Sequence, residues 1–429
     1  KLANEVERFE QTSMWGYNII DVIHSVRRAM AINSNIKSAG LKYICKQQRI
    51  AKDNRVYIDH DKIAKLRAAT NPYWINIKTG EWSESSDKDM PEGWEEITGK
   101  EIVEKYLIDD IWETLEVDNS FNQSSFLMAK ILPTVYERVS TMGTASIWKL
   151  LMLSWSYENG LSIPEKGEKR SFTGGLSRIL KVGYSKDIVK LDYASLYPSI
   201  MITHGVYPDC DVSGAMHAML QYLYDTRNVY KDKSNECADK GDKKMASFFK
   251  AKQLPIKIIN NSMYGSLTAP QVFNWGDVMK GEEVTCTARM YLRLMVKFFE
   301  NRNFIPIVLD TDGCNFSVPD SIKVYEYKGK GIHHFVEKDK EYTGTSAVVA
   351  EFNDTYMRGV MGLDIDGFWK SSINVSRKNY ADLTEDGRVD IVGNTIKSKL
   401  LPDYIKEFID LGLEMLLNDK GLEFIEYYY

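Results

Sequence analysis

The chain has 429 residues, 44% of them apolar and 27% charged, with a net charge of −5. That length exceeds what one hydrophobic core fills, so two or three domains are expected, and the composition lies far from disordered and membrane-embedded chains. There is no run of eighteen apolar residues, and the first residues, KLANEVERFEQ, lack the basic start and apolar stretch of a signal peptide. No membrane partner and a cytoplasmic location are therefore expected. Cys45, Cys210, Cys237, Cys286 and Cys314 form no CxxC pair and read as reduced thiols rather than a zinc site or disulfide set. The net acidity argues against a nucleic-acid partner, but it conceals a local excess: nine Lys or Arg against four acids between Arg227 and Lys257. A solvated face is the usual meaning of such a run.

Residues 18–50 read as helical, with Ile19, Val22, Ile23, Val26 and Met30 at helical spacing. A polar Gly- and Pro-containing stretch over 71–100 predicts turns or a small ribbon, and helices resume over 101–155. The stretch 158–185, rich in Gly, Pro, Ser and charge, predicts a domain boundary. It leads into a short apolar strand, Ile188 to Leu191, that ends at Asp192. From 214 to 268 the pattern is a helical hairpin with a charged turn, SNECADKGDKK. Pro255 interrupts its second helix, either as an interior kink or as a first helical residue. Residues 304–318 predict two strands around the acidic turn Asp-Thr-Asp-Gly. After 400 the chain is helical and ends in uncapped LEFIEYYY, as a cut chain would.

Acids at strand ends suggest metal chemistry. Nucleotidyl transfer uses two divalent cations about 3.5–4 Å apart, and hard cations take carboxylate oxygens. Asp192 ends one predicted strand, while Asp310 and Asp312 sit in a predicted hairpin turn more than a hundred residues further on. If those strands are neighbours, three carboxylates converge. Alone, each would be an ordinary turn or cap residue.

The wording around the acids changes that balance. LDYASLYPSI at 191–200, KIINNSMYG at 257–265 and LDTDG at 309–313, in this order, resemble the DxxSLYPS, KxxxNSxYG and DTDS motifs of family B DNA polymerases. FTGG at 172–175 resembles the family's YxGG motif, and Lys378 with Tyr380 its KxY motif. The resemblance implies an α+β right-hand fold: an antiparallel palm sheet, a helical fingers hairpin and the start of a helical thumb, after a partial RNase H-like exonuclease domain. The expected divisions are 1–157 for the exonuclease part, 158–213 and 269–392 for the palm, 214–268 for the fingers and 393–429 for the thumb.

It also implies roles. Asp192 and Asp312 would ligate two Mg²⁺ ions, for which Mn²⁺ can substitute, with Asp310 in support. Arg227, Lys231, Lys257 and Asn261 would hold the incoming deoxynucleoside triphosphate together with Ser195 and Leu196. Helical spacing agrees, because Arg227 and Lys231 share one face, as do Lys257, Asn261 and Tyr264. Tyr197 would lie under the sugar and exclude a 2′-hydroxyl. Phe172, Gly174, Gly175, Tyr264, Gly265, Lys378 and Tyr380 would contact primer-template DNA. The third motif departs from the family in having Val308-Leu309 for Tyr-Gly and Gly313 for Ser; glycine is tolerated by any backbone, so altered primer contacts rather than lost activity are expected.

Tyr106 and Asp110, in KYLIDD, fit the family's YxxxD exonuclease motif, and IIDVIHSVRRAMAINS resembles the helix after its second motif. No DxE strand precedes residue 106, so the expectation is the back half of an exonuclease domain without proofreading of its own. Compact spacing suggests a nucleic-acid-primed relative of phage or viral origin, which would place it in the host cytoplasm. A processivity factor, or a second chain completing the exonuclease domain, would be a further partner. The competing reading is a non-catalytic polymerase-like scaffold that binds DNA or a replication partner.

Overall fold

A computed structural model of the chain describes residues 12–32, 36, 38–85, 90–322, 334–337, 340–357, 361–393 and 402–428. The chain divides into two compact units: Lys1–Gly143 with Tyr230–Pro255, and Thr144–Val229 with Ile256–Tyr429. Among the described residues no helix is long and apolar enough to cross a membrane.

In the first unit, helices α1 (Val22–Ile32) and α2 (Leu41–Gln47) precede α3 (Ile63–Ala68). The stretch expected as a ribbon is a three-stranded antiparallel sheet of β1 (Pro72–Asn76), β2 (Trp82–Glu84) and β3 (Trp94–Thr98), with β1 in the middle. It leads into the long helix α4 (Gly99–Phe121). A capping box opens that helix: the Thr98 hydroxyl accepts from the Glu101 amide, and Glu101 accepts from the Thr98 amide. Val56, Ile58, Leu66, Tyr73, Ile75, Ile97 and Ile102 form the core between sheet and helices. Helices α5 (Gln123–Ala129) and α6 (Tyr136–Thr141) follow.

The expected boundary at 157/158 falls later than the division between the units. Helix α7 (Thr144–Glu158) groups with the second unit, because buried Trp148 donates its indole N–H to the Ile259 carbonyl at 2.8 Å. Helices α8 (Leu196–His204), α9 (Ala215–Asp239) and α10 (Lys243–Leu267) come next. The last two form the expected hairpin. Tyr230 stacks on Phe249, and the Ser234 hydroxyl donates to the Ala246 carbonyl. The idea that Pro255 begins its helix is corrected: α10 starts twelve residues earlier and carries Pro255 inside it. An interior proline costs about 3 kcal/mol, and burial of Ile256, Ile259, Met263 and Leu267 on one face offsets that cost.

The second unit is built on a seven-stranded sheet. Its strands are β4 (Ser177–Ile179), β5 (Gly183–Tyr193), β6 (Ile305–Asp310), β7 (Gly313–Ser317), β10 (Leu363–Ser376), β11 (Asn379–Leu383) and β12 (Val389–Val392). A separate ribbon pairs β8 (His334–Glu337) with β9 (Lys340–Thr343). The sheet order is β12-β11-β10-β5-β7-β6-β4, every neighbour antiparallel. Helix α11 (Val278–Glu300), capped by Asp277 accepting from the Met279 and Lys280 amides, and α12 (Gly344–Tyr356) supply one side of the core. There Phe299 meets Phe304, Phe316 and Phe352. Helices α13 (Asp403–Leu417) and α14 (Gly421–Tyr428) lie where helix is expected after 400, and Leu413 and Leu417 pack on β11 residues Ala381 and Leu383. The expected division at 392/393 borders residues 394–401, which lie outside the described set.

A buried polar row crosses this sheet. Ser185, Ser372 and Asp382 are in register on β5, β10 and β11, and Asp382 is 4% exposed. Burial pushes the Asp382 carboxyl up from 3.8 to about 6, with Ser372 hydrogen bonding acting against it. A carboxyl raised in the folded state stabilises while protonated, and that contribution is lost as pH rises from the unfolded value to the folded one. Asp382→Asn is therefore expected to be more stable than the parent by about 1–3 kcal/mol at pH 7.5. The difference should vanish near pH 4 when both proteins are unfolded in urea.

Candidate active site

Sheet register sets the acids side by side. At one level across the sheet stand Asp364 of β10, Asp192 of β5, Gly313 of β7, Asp310 of β6 and Ser177 of β4. Residues directly opposite on adjacent strands share a face, so Asp192 and Asp310 flank Gly313 on one side of the sheet. Asp310 ends its strand rather than lying in the turn, and Asp312 is in the turn itself. Burial and the neighbouring Asp192 charge push the Asp312 carboxyl up to about 6. Burial also raises Asp192, although Lys190 opposes it. Thr311 between the two acids is left-handed, φ 63°, a costly conformation for a β-branched residue and one found where a site imposes it.

Glycine at 313 also meets a demand for space. A Cβ there would stand 1.5 Å from Asp192 Oδ1 and 2.5 Å from the Leu191 carbonyl oxygen. The Asp192 carboxylate lies in the place that a side chain at 313 would fill.

Ser195 and Tyr197 adjoin this edge, and further predicted residues lie on α9 and α10. Ser195 is also left-handed, φ 51°, and precedes α8, so the chain turns sharply from β5 into a helix whose first amides belong to Leu196 and Tyr197. The Leu196 side chain itself is buried. Arg227 donates to the Ser195 hydroxyl. Burial lowers the Arg227 pKa, and its Nε is buried without a partner. The Tyr197 and Tyr264 rings meet at 4.4 Å. Burial, then the Asp312 charge, raises Tyr197, and burial pushes Tyr264 up to about 12. Lys257, Asn261 and Gly265 are exposed on the face of α10 that carries Tyr264. Lys231 is exposed one turn beyond Arg227, in the part of α9 that groups with the first unit.

The FTGG segment is held against the turn. A Cβ on Gly175 would meet the Tyr197 hydroxyl at 2.6 Å and Thr311 Cγ2 at 3.1 Å, and the Thr311 amide donates to the Leu176 carbonyl. Half-buried Phe172 begins the segment. Two residues that sequence reasoning missed fix it: Arg289 donates to the Thr173 and Gly174 carbonyls at 2.8 and 2.7 Å, and the Thr285 hydroxyl donates to Thr173. Both lie on α11, more than a hundred residues away, and no local pattern marks them. On the other flank Lys378 Nζ lies 3.5 Å from Asp310 Oδ1, and burial pushes Tyr380 up to about 12. Lys190 was also missed. It lies 2.7 Å from Asp192 and 2.6 Å from Asp366.

Carboxylates are the right donors for a hard divalent cation, and a dication would relieve the Asp192 repulsion that adds to burial in raising Asp312. Among the described residues, no three acids, His or Cys are already grouped to hold a metal. Asp192 is paired with Lys190 instead.

The exonuclease pair lies in the first unit. Tyr106 and Asp110 share α4, but each is engaged by a cation of the chain. Lys42 donates to the Tyr106 hydroxyl at 2.7 Å, and Arg55 pairs with Asp110 and, at 2.9 Å, with Glu113. Sequence reasoning missed Arg55.

No protein-family model matches the chain. It is 27% identical over 364 residues to DNA polymerase 1 of Pyrococcus abyssi (strain GE5 / Orsay), covering 78% of this chain and 45% of that protein. Its identity to the DNA polymerase of Pyrococcus glycovorans is 27% over 365 residues, covering 78% of this chain and 44% of the relative. The chain thus spans somewhat under half the length of these curated relatives. They are archaeal, and lend no support to the phage or viral origin expected. The fold is similar to that of the family B DNA polymerase from the hyperthermophilic archaeon Pyrobaculum calidifontis, with a TM-score of 0.55 and 18% identity over 77% of this chain and 44% of that one. Motif order, sheet register and these similarities agree: the chain is similar in sequence and fold to the family B DNA polymerases.

Proposed function

We propose that this chain carries the catalytic centre of a DNA-templated DNA polymerase acting in replication. The observation that carries the reading is the acid edge, where Asp192 and Asp310 flank Gly313 with Asp312 in the adjoining turn. In this reading the seven-stranded sheet is the palm, α9 and α10 are the fingers, α13 begins the thumb, and the first unit holds the exonuclease part. Two Mg²⁺ ions, or Mn²⁺, held by Asp192 and Asp312 would activate the primer 3′-hydroxyl and neutralise the triphosphate. The hydroxyl attacks the α-phosphate in line, and pyrophosphate leaves. Arg227 offers its unpartnered Nε to the triphosphate, and Lys257 and Asn261 present the exposed face of α10 to it. Lys231 extends the basic face of α9. Arg289 fixes the FTGG carbonyls so that the segment can carry template, while Lys378 and Tyr380 approach from the primer side. Tyr106 and Asp110 are structural in this chain, each committed to a cation, so no proofreading is assigned to it.

The test is primer extension on a DNA template with Mg²⁺ and deoxynucleotides; a protein that binds primer-template yet never extends it would be the scaffold instead. Sugar choice gives a sharper measurement. Tyr197 is pinned between Tyr264 and Gly175, so its ring cannot yield to a 2′-hydroxyl. Tyr197→Ala is expected to raise the ratio of kcat/KM for ribonucleotide over deoxynucleotide by at least about tenfold. An unchanged ratio with both rates reduced would make Tyr197 a packing residue.

A further inference from the structure

Strand alternation puts Lys190 and Asp192 on one face of β5. The register of β10 against β5 shifts between Ile365 and Gly367, which leaves Asp366 as the extra residue of a bulge. A bulge re-aims a side chain. Here Asp366 Oδ2 reaches the Lys190 ammonium at 2.6 Å, and the same ammonium stands 2.7 Å from Asp192 Oδ2. The other oxygen, Asp192 Oδ1, occupies the place left open by Gly313. Both oxygens of Asp192 are therefore placed by features of this chain: one by a lysine two residues away, the other by a missing side chain.

We propose that Lys190 is a built-in competitor for the cation that Asp192 ligates, and that Asp366 is the alternative seat onto which the ammonium moves when the metal enters. The proposal rests on the polymerase reading only in taking Asp192 as a metal ligand. No proton is transferred: the ammonium exchanges one carboxylate partner for another already in contact with it, and the vacated Asp192 oxygen takes the cation. Asp366, 54% exposed, against 25% for Asp192, is the better hydrated of the two seats. Lys190 and Asp366 are then positioning residues that set how readily the metal loads. They are not groups that touch the nucleotide.

Mn²⁺ binding to the protein alone, with no DNA or nucleotide, reads this directly through the electron paramagnetic resonance signal of the free ion. Lys190→Met, which removes the competitor, is expected to lower the Kd for Mn²⁺ by about three- to tenfold, with Lys190→Arg close to the parent. Asp366→Asn removes the alternative seat, leaves the ammonium on Asp192 and should raise the Kd by about two- to fivefold. In the double variant Lys190→Met with Asp366→Asn, the Asp366 effect should disappear. A Kd that is unchanged or raised in Lys190→Met would overturn the proposal. So would an Asp366→Asn loss that persists without Lys190, because Asp366 would then be binding the metal itself. Should Lys190→Met fail to fold by circular dichroism, the exposed Asp366→Asn change still decides, and an unaltered Kd there counts against the exchange. Extension assays on the same proteins keep the two readings apart. The expected Mn²⁺ pattern in a protein that cannot extend a primer would sink the polymerase reading alone, and normal extension with a flat pattern would sink only the exchange.

Discussion

Primer extension is expected to fall by at least about a thousandfold in Asp192→Asn and in Asp312→Asn, with primer-template affinity retained. Asparagine keeps the shape of the side chain and removes the charge. A metal-stabilised transition state carries several kcal/mol of charge stabilisation, and about 4 kcal/mol corresponds to that factor in rate. Asp192 is partly buried at the sheet edge and Asp312 is fixed in the adjoining turn, so the loss of either charge removes a donor at a defined position. Asp310 is expected to matter less, because in this reading Asp192 and Asp312 ligate the ions and Asp310 only supports them. Single-turnover extension measures the rate, and fluorescence anisotropy of labelled DNA measures affinity. Extension within tenfold of the parent in either variant would remove the metal-site assignment. A parallel loss of DNA binding would mean that the substitution had disturbed the sheet instead.

Much of that site was legible because its signals are local. Apolar runs before Asp192 and on both sides of Asp-Thr-Asp-Gly mark strands that meet at acids: β5 and β6 carry Asp192 and Asp310 at their ends, and β7 leaves the turn that holds Asp312. Helical spacing placed Lys257, Asn261 and Tyr264 on one stripe, and burial of Ile256, Ile259, Met263 and Leu267 behind it agrees. What was not legible depends on register and on distant contacts. The bulge that brings Asp366 to Lys190 arises only when β10 pairs with β5. Arg289 and Thr285 reach the FTGG segment across more than a hundred residues.

Pro255 and Gly313 show two further places where local rules leave open what packing decides. A proline in a helical pattern fits an interior kink or a helix start, and packing of the apolar face carries α10 through it. A glycine predicts tolerance, yet at 313 it meets a demand for empty space that only the neighbouring strand reveals. The same holds for the unit division, since nothing in the sequence of α7 says that Trp148 will bond across to Ile259.

The largest stability effect is expected at Arg55, in the first unit. Its guanidinium is 2% exposed and is held by Glu113, 3% exposed, together with Asp110 and Asp109. Burial works against its charge, but Glu113, Asp110 and Asp109 outweigh burial and raise its pKa above the usual arginine value. The Tyr57 and Tyr106 rings lie 5.1 and 5.0 Å from it. Removing one partner of a buried ion pair leaves the other charged without compensation, at about 3–5 kcal/mol. Here three acids would be left close together. Arg55→Met is therefore expected to destabilise the first unit by at least that amount, read as lost hydrogen-exchange protection along α4 while the sheet of the second unit stays protected. The double variant Arg55→Met with Glu113→Gln should recover part of the loss, because the most buried uncompensated charge is gone. This outcome also bears on the exonuclease pair. If Asp110 were kept for a metal, Arg55→Met should free it and give Mg²⁺-dependent shortening of a mismatched primer that Asp110→Ala abolishes. The ion-pair reading expects an unfolding unit and no such shortening, because Arg55 is what holds the Asp110 carboxylate and α4 in place.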